Sequence, residues 1–378
     1  MTVDRFGLLS GRLGTLTDRV EYVHGLVMEK LPTVDRIACA LYDSKTDLLK
    51  TFINSTRQGE ALKAYEVKLG DVPSLTVLAE TGECRVIDDI DSELTGDSTH
   101  TQWVRSKGYK SSFTVTLNNG SQLIGFLFFD SSQKGTFTPE VQRDLLIYSN
   151  LIQMAVASEL MVIDSLLATT AAARDFADLR DFETGKHLDR MAQFSRLIAR
   201  EIAEQLDLSD EFVEQLYLFA PLHDIGKIGI PDQILLKPGR LTPEERAVVQ
   251  EHVAKGVSII EKVLSEYSLN AVSDTQVLMN IISCHHEYLD GSGYPNGKSG
   301  DEIPIEARVI TVADIFDALT SIRPYKKPWD VDGAIDELRR MASESKLDSR
   351  VVEALAKHRD EAARLVLELA DLPDEISA

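Results

Sequence analysis

From Pro139 to Thr184 the chain runs without an interior proline or glycine, and its apolar residues Ile152, Val156, Leu160, Ile163 and Leu167 recur close to the helical period. The stretch predicts a long helix. It reads either as two ordinary helices with a break near Asp164 or as one connector that pairs with its copy in a homodimer, and the connector is preferred. At 378 residues the chain exceeds what one hydrophobic core usually serves, so the helix is expected to join two domains. The expected divisions are residues 1–158, with the helix starting at 139, then a connector at 159–178 and a second domain at 179–378.

Before the helix, strand-like runs occur at Arg36–Asp43, Leu48–Ser55, Cys84–Asp89, Ser112–Leu117 and Gln122–Asp130, separated by turn residues. Asn119-Gly120, between two alternating apolar runs, predicts a hairpin over Ser112–Asp130 with a type I′ turn, which needs positive φ at both central residues. An α+β domain is expected here. Beyond Thr184 the strand signal fades. Thr242-Pro243-Glu244-Glu245 reads as a helix start with a capping hydroxyl, a proline at the first helical position and a capping-box glutamate. The second domain is expected to be all α.

Charge and composition narrow the partners. A formal net charge of −21 repels the phosphate backbone, so no long nucleic acid is expected. A small phosphorylated ligand is compatible, because metal ions and a few Lys or Arg side chains set their own local field. No run approaches the roughly eighteen uninterrupted apolar residues of a membrane span, and Met1 to Arg12 lacks a signal-peptide layout. A cytoplasmic protein without a membrane partner is expected. Cys39, Cys84 and Cys284 lack metal-type spacing and read as reduced, mostly buried thiols.

Of eight histidines, His187, His223, His252, His285 and His286 cluster between Thr184 and the flank of Cys284, interleaved with acids in apolar surroundings. A lone histidine is usually a satisfied core or surface residue, but this grouping is the pattern of a metal site. His223-Asp224 follows the apolar run Leu216–Leu222, which delivers a carboxylate to the interior, where it is costly without a cation. Lys227, three residues after Asp224, is positioned to meet a phosphate oxygen if the helix persists. His252 is read as sharing a helix face with Val248, Val249, Gly256 and Ile259, and Asp314 is embedded in Ala307–Leu319. Glu183 and His187 are four apart and would project from one helix face. His285 and His286 are read as diverging by roughly 100°, enough for two neighbouring ions but not for one shared position. Mixed imidazole and carboxylate donors suit Fe, Mn, Zn or Ni. Two such ions can share a hydroxide of lowered pKa and hold phosphoryl oxygens during in-line attack. The expected activity is therefore metal-dependent phosphohydrolysis.

The strings His223-Asp224-Ile225-Gly226-Lys227 and His285-His286-Glu287-Tyr288-Leu289-Asp290-Gly291-Ser292-Gly293-Tyr294-Pro295 resemble the HD-GYP family of cyclic di-GMP phosphodiesterases. The resemblance extends over about Leu179–Leu355. It includes Glu183–His187, Ile230-Pro231-Asp232, Lys237-Pro238-Gly239, Val312-Ala313-Asp314 and Arg323-Pro324-Tyr325. It implies hydrolysis of cyclic di-GMP to pGpG, GMP or both, with His187, His223, Asp224, His252, His285, His286 and Asp314 as metal ligands and Asp224 bridging. It also implies Fe or Mn ahead of Zn or Ni, with Lys227, Arg323 and Lys326 contacting the substrate. In some members an acid at the position of Glu183 completes a third metal site; in others it is absent. Two departures concern packing: Met341–Lys346 lacks the glycine often found there, and Leu347-Asp348-Ser349 replaces an aromatic, aspartate and proline. In the loop Asp290–Pro295 the glycines read as turn formers and Tyr294 as an anchor of that turn.

The N-terminal half resembles a GAF sensory domain through its order of elements and through Gly120–Phe129 before Thr138-Pro139-Glu140. An unidentified small ligand is the implied partner. His24 and His100 read as lone polar histidines rather than haem ligands. Two alternatives stand beside cyclic di-GMP hydrolysis. One is an HD-type phosphohydrolase acting on another nucleotide, mixed cyclic dinucleotides included; the other is a receptor that only binds.

Overall fold

The computed structural model describes residues 14–58, 61–63, 65–94, 99–120, 122–176, 185–266, 275–321 and 328–371. They form two compact units, the first ending at Val162 and the second beginning at Ile163.

The first unit runs α1 (Leu16–Lys30), β1 (Arg36–Asp43), β2 (Leu48–Thr56), β3 (Glu66–Lys68), α2 (Pro73–Thr81), β4 (Arg85–Ile87), α3 (Ile90–Glu93), α4 (Thr99–Ser106), β5 (Ser111–Asn119) and β6 (Gln122–Ser131). Its strands make one antiparallel sheet in the order β3-β2-β1-β6-β5-β4. All five expected strands are present. The sixth, β3, is three residues long, too short to show alternation, and is made by pairing with Leu48–Lys50. Along β1, Ile37, Cys39 and Leu41 join a core with Leu16, Val20 and Val27 of α1, while Arg36, Ala38 and Ala40 line the opposite face. His24 is buried and satisfied, with Nδ1 2.8 Å from Ser55 Oγ and Nε2 3.1 Å from the Val34 carbonyl. The side chain of His100 lies outside the described residues.

The hairpin forms, but its turn is displaced from the expected place. Asn119 pairs with Gln122, so Gly120 is the first central residue, with φ of 60°, and Asn119 does not take positive φ. A register shift between Leu117 and Asn118 leaves Ile124 as an extra residue of β6, so Asn119 meets Gln122 instead of Leu123.

The long helix, α5 (Pro139–Phe176), is continuous, with no break at Asp164. Leu145, Ile152 and Val156 enter the core of the first unit, and Glu159 forms a buried ion pair of 3.0 Å with Arg19. On its other side Ile147 is 63% exposed, Leu151 43%, Met154 69% and Met161 53%. Pro139–Thr169, in which an 18-residue window reaches a mean hydropathy of 1.6, is by length and composition alone long and apolar enough to cross a membrane. It is not the uninterrupted apolar run that the sequence reading looked for, because Ser149, Gln153, Ser158 and Glu159 interrupt it.

The second unit contains α6 (Gly185–Leu206), α7 (Asp210–Phe219), α8 (Asp232–Leu235), α9 (Pro243–Gln250), α10 (His252–Glu266), α11 (Thr275–Cys284), α12 (Ile305–Thr320), α13 (Val331–Ser343), α14 (Ser349–Lys357) and α15 (Arg359–Glu368). Short 3₁₀ turns lie at Ala220–Leu222, Ile225–Gly229 and Gly300–Glu302. Helix α6 packs against α7, α12 and α14, with Phe194 edge-on to Phe316 at 5.0 Å. Thr242 caps α9 as expected: its Oγ1 accepts from Glu245 N–H at 3.2 Å and its own N–H donates to Glu245 at 2.8 Å. The two departures near the C-terminus are absorbed locally. Ser345 takes the left-handed φ of 61°, as a glycine would there, and buried Asp348 pairs with Arg308 at 3.0 Å while capping α14.

Candidate metal centre

Five segments bring the acids and histidines together. His187 stands in the first turn of α6, His223 and Asp224 between the two 3₁₀ turns after α7, His252 at the start of α10, His285 and His286 just past α11, and Asp314 on α12. Backbone contact at two glycines closes the gap between the His223-Asp224 segment and α10. A Cβ on Gly226 would lie 1.8 Å from the His252 carbonyl oxygen, and one on Gly256 would lie 3.3 Å from Gly226 N.

The donor atoms form two groups. One oxygen or nitrogen from each of Asp224, His252, His285 and His286 lies within 4.8 Å of the others, and the same holds for His187, His223 and Asp314. Asp224 faces both groups. Its Oδ1 is 3.0 Å from His252 Nε2 and 3.6 Å from His285 Nε2, while Oδ2 is 3.2 Å from His223 Nε2 and 2.6 Å from Lys227 Nζ. Oδ1 is buried and meets no donor in hydrogen-bonding geometry, although imidazole nitrogens surround it. Lone pairs aimed at a common point leave such an oxygen in need of a cation.

The imidazoles are set for that task. His223 Nδ1 donates to the Ala220 carbonyl at 2.8 Å, His252 Nδ1 to Val249 at 2.8 Å, and His285 Nδ1 to Ile281 at 3.0 Å. His187 Nδ1 donates to Asp317 Oδ2 at 2.7 Å. A protonated Nδ1 leaves Nε2 with its lone pair toward the cluster, the tautomer a metal ligand needs. Burial, then the neighbouring His285, pushes His286 below the ordinary imidazole range, so it too is neutral. Burial alone would raise the Asp224 carboxyl, but the Lys227 ammonium 2.6 Å away outweighs it and holds Asp224 ionised, well below the usual range. The donor chemistry therefore fits divalent cations.

Two expectations need correction. His285 and His286 share one donor group rather than serving separate ions, because α11 ends at Cys284 and the pair lies in a turn where helical divergence does not apply; their rings are 4.1 Å apart. His252 does not share a helix with Val248 and Val249, because α9 ends at Gln250 and α10 begins at His252. Glu183, Arg323 and Lys326 lie outside the described residues.

Sequence reasoning also missed residues that the site uses. Asp317 is buried, receives His187 Nδ1 and is clasped by Arg190, whose Nη2 donates to Oδ2 at 3.1 Å; a second nitrogen, Nη1, reaches the Leu369 carbonyl at 2.7 Å. Burial opposes ionisation, but the bonds from His187 and Arg190 bring Asp317 down to about 2. Glu287, also buried, accepts from the backbone N–H of Asn296 at 2.8 Å and of Lys298 at 3.0 Å, which folds the glycine-containing loop back onto the site. A Cβ on Gly293 would come within 2.4 Å of Tyr288 N, so only glycine lets the loop pass. Tyr294, read from sequence as a turn anchor, stacks on His286 at 4.6 Å and is partly exposed, so it packs on a candidate ligand at the rim.

Asp317→Asn should keep the fold but weaken the hold on His187, and metal affinity is expected to fall about 10–100-fold at one of two sites, as outer-shell substitutions do. Competitive chelator titration of the purified variant measures it.

Residues 177–351 match the family model described as HD domain. Over 183 residues the chain is 44% identical to the cyclic di-GMP phosphodiesterase response regulator RpfG of Xanthomonas campestris pv. campestris, covering 48% of this chain and 45% of that protein. It is 43% identical over 182 residues to a cyclic di-GMP phosphodiesterase of Thermotoga maritima, covering 48% and 46%. It is 40% identical over 198 residues to the 3'3'-cGAMP-specific phosphodiesterase 2 of Vibrio cholerae, covering 52% and 35%. The chain thus spans less than half the length of these curated relatives. Among solved structures, the phycocyanobilin-bound GAF domain of a cyanobacterial phytochrome aligns with 18% identity and a TM-score of 0.32, over 42% of this chain and 96% of that one. The paired histidine and carboxylate groups thus fall on the same helices that the HD-domain model matches, so the C-terminal half of this chain is similar to HD domains over residues 177–351.

Proposed function

We propose that the C-terminal half hydrolyses a phosphodiester bond of a cyclic dinucleotide, cyclic di-GMP first among them, to pGpG, GMP or both. The observation that carries this reading is Asp224, one buried carboxylate with one oxygen toward each of two ligand groups. The similar proteins are cyclic di-GMP and 3'3'-cGAMP phosphodiesterases by name, which supports the substrate class.

His187, His223 and Asp314 would hold one divalent ion and His252, His285 and His286 a second, with Asp224 between; Fe or Mn suits the donor set best and Zn or Ni less well. Such ions, when bound, supply an activated water and charge stabilisation at the phosphoryl oxygens. The protein's own residues do the rest. Carbonyl and carboxylate oxygens that accept from Nδ1–H fix the imidazoles, so no reorientation is needed as charge develops. Lys227 holds its ammonium beside Asp224 while 23% exposed, within reach of a substrate phosphate. Arg323 and Lys326 are assigned to the remainder of the substrate, and Glu183 to a third ion, from the sequence resemblance.

Lys227→Ala should lower kcat by roughly 10²-fold or more, with metal content kept, because it removes a charge where negative charge grows. Steady-state kinetics with metal analysis on one preparation checks it; unchanged kcat with cyclic di-GMP would move the substrate elsewhere.

We further propose that the chain forms a homodimer through α5. Its exposed Ile147, Leu151, Met154 and Met161 are spaced by four, three and seven residues, the seam of a two-stranded coil. Met154→Glu is expected to shift the protein toward monomer in light scattering after size exclusion.

A further inference from the structure

The sheet of the first unit encloses a cavity of about 90 Å³ on the face that carries Arg36, Ala38 and Ala40, several times the ~10–15 Å³ that one water needs. Most of its wall is apolar, with Leu49, Leu75 and Phe128 among the lining side chains. Among the described residues, three charged ones line it: Arg36, Arg85 and Asp130. Arg36 is neutralised within the wall. Its Nη1 meets Asp130 Oδ2 at 2.5 Å and its Nε donates to Asn54 Oδ1 at 3.0 Å, while Ser112 Oγ donates to the other Asp130 oxygen at 2.7 Å.

Arg85 is treated differently. Its Nη1 donates to Ser74 Oγ at 2.7 Å and its Nη2 to Thr114 Oγ1 at 3.2 Å, and both partners are neutral hydroxyls. Nε is buried and meets no acceptor. Two of five guanidinium protons are thus used, and the Nε–H with a remaining Nη–H makes the two-pronged donor that a carboxylate accepts. Burial lowers the Arg85 pKa and the field of Asp130 opposes that only in part, so the cation sits in the wall at a desolvation cost. Such a cost is offset when an anion enters.

We propose that this cavity binds a small organic monocarboxylate with an apolar body, its carboxylate received by Arg85. With Arg36 and Arg85 against Asp130, the described lining carries one net positive charge, which a monoanion neutralises and a phosphate dianion would overshoot. The apolar wall asks for a hydrocarbon body rather than a hydrated inorganic ion. The site lies wholly within the first unit and does not depend on the hydrolase assignment of the second.

The test is calorimetric titration of the full chain with phenylacetate and isovalerate, each against its neutral amide. The acids should bind at one site per chain, at least ~10-fold tighter than the amides. Arg85→Met should remove that preference, leaving acid and amide alike, while Ala38→Leu, which fills the cavity, should weaken both. Equal affinity of acid and amide for the wild-type chain would overturn the proposal without reference to any variant. So would acid binding that survives Arg85→Met, no binding of either acid at millimolar concentration, or preference for inorganic phosphate over both acids.

Discussion

Asp224→Ala is expected to empty both ion sites and to lower phosphodiesterase activity by at least ~10³-fold, the scale seen when one member of a cooperating catalytic set is lost. The expectation follows from position rather than from charge alone. Oδ1 faces His252 and His285, Oδ2 faces His223 and Lys227, and no other described carboxylate reaches both groups. The fold should survive, because the substitution removes a buried anion whose neighbours are neutral imidazoles and a partly exposed ammonium able to turn to solvent. Elemental analysis alongside circular dichroism reads both outcomes. Full metal occupancy in a folded Asp224→Ala protein would exclude a shared bridging carboxylate.

Gly226→Ala should be as damaging by a different route. The added Cβ would lie 1.8 Å from the His252 carbonyl oxygen and 2.4 Å from Gly256 N, and both are backbone, so neither can step aside cheaply. Either the second unit loses roughly 3 kcal/mol or more, or the His223-Asp224 turn separates from α10 and the ligand group is broken. Gly229→Ala is the control, since its Cβ would meet the flexible Lys255 side chain at 2.8 Å. Thermal melting should drop sharply for the first variant and little for the second, and metal content should follow the same order.

The division into an α+β half and an all-α half was legible because period-two and period-3.6 patterns fall in separate stretches, with α5 between them. The seven candidate ligands were legible because buried histidines and acids are costly, and so stand out in apolar runs. What sequence alone does not disclose is mostly a matter of local geometry. The pairing of Asn119 with Gln122 depends on a register shift that leaves no compositional mark, and β3 exists only because β2 offers it an edge. His285 and His286 fall in one donor group because the pair lies in the turn just past α11, which ends at Cys284. Asp317 did leave a signal. It lies three residues beyond Asp314 in the mostly apolar stretch Val309–Leu319, and a buried acid there needs a partner. Its partners, His187 and Arg190, stand three apart on α6, the matching spacing.

The central claim, that these two ligand groups serve hydrolysis of a cyclic dinucleotide, is tested most directly by incubating the metal-loaded full chain with cyclic di-GMP and separating the products by chromatography. The account predicts that pGpG, GMP or both accumulate with the wild-type chain and not with Asp224→Ala. Recovery of intact cyclic di-GMP from a wild-type preparation that carries two ions per chain would contradict it.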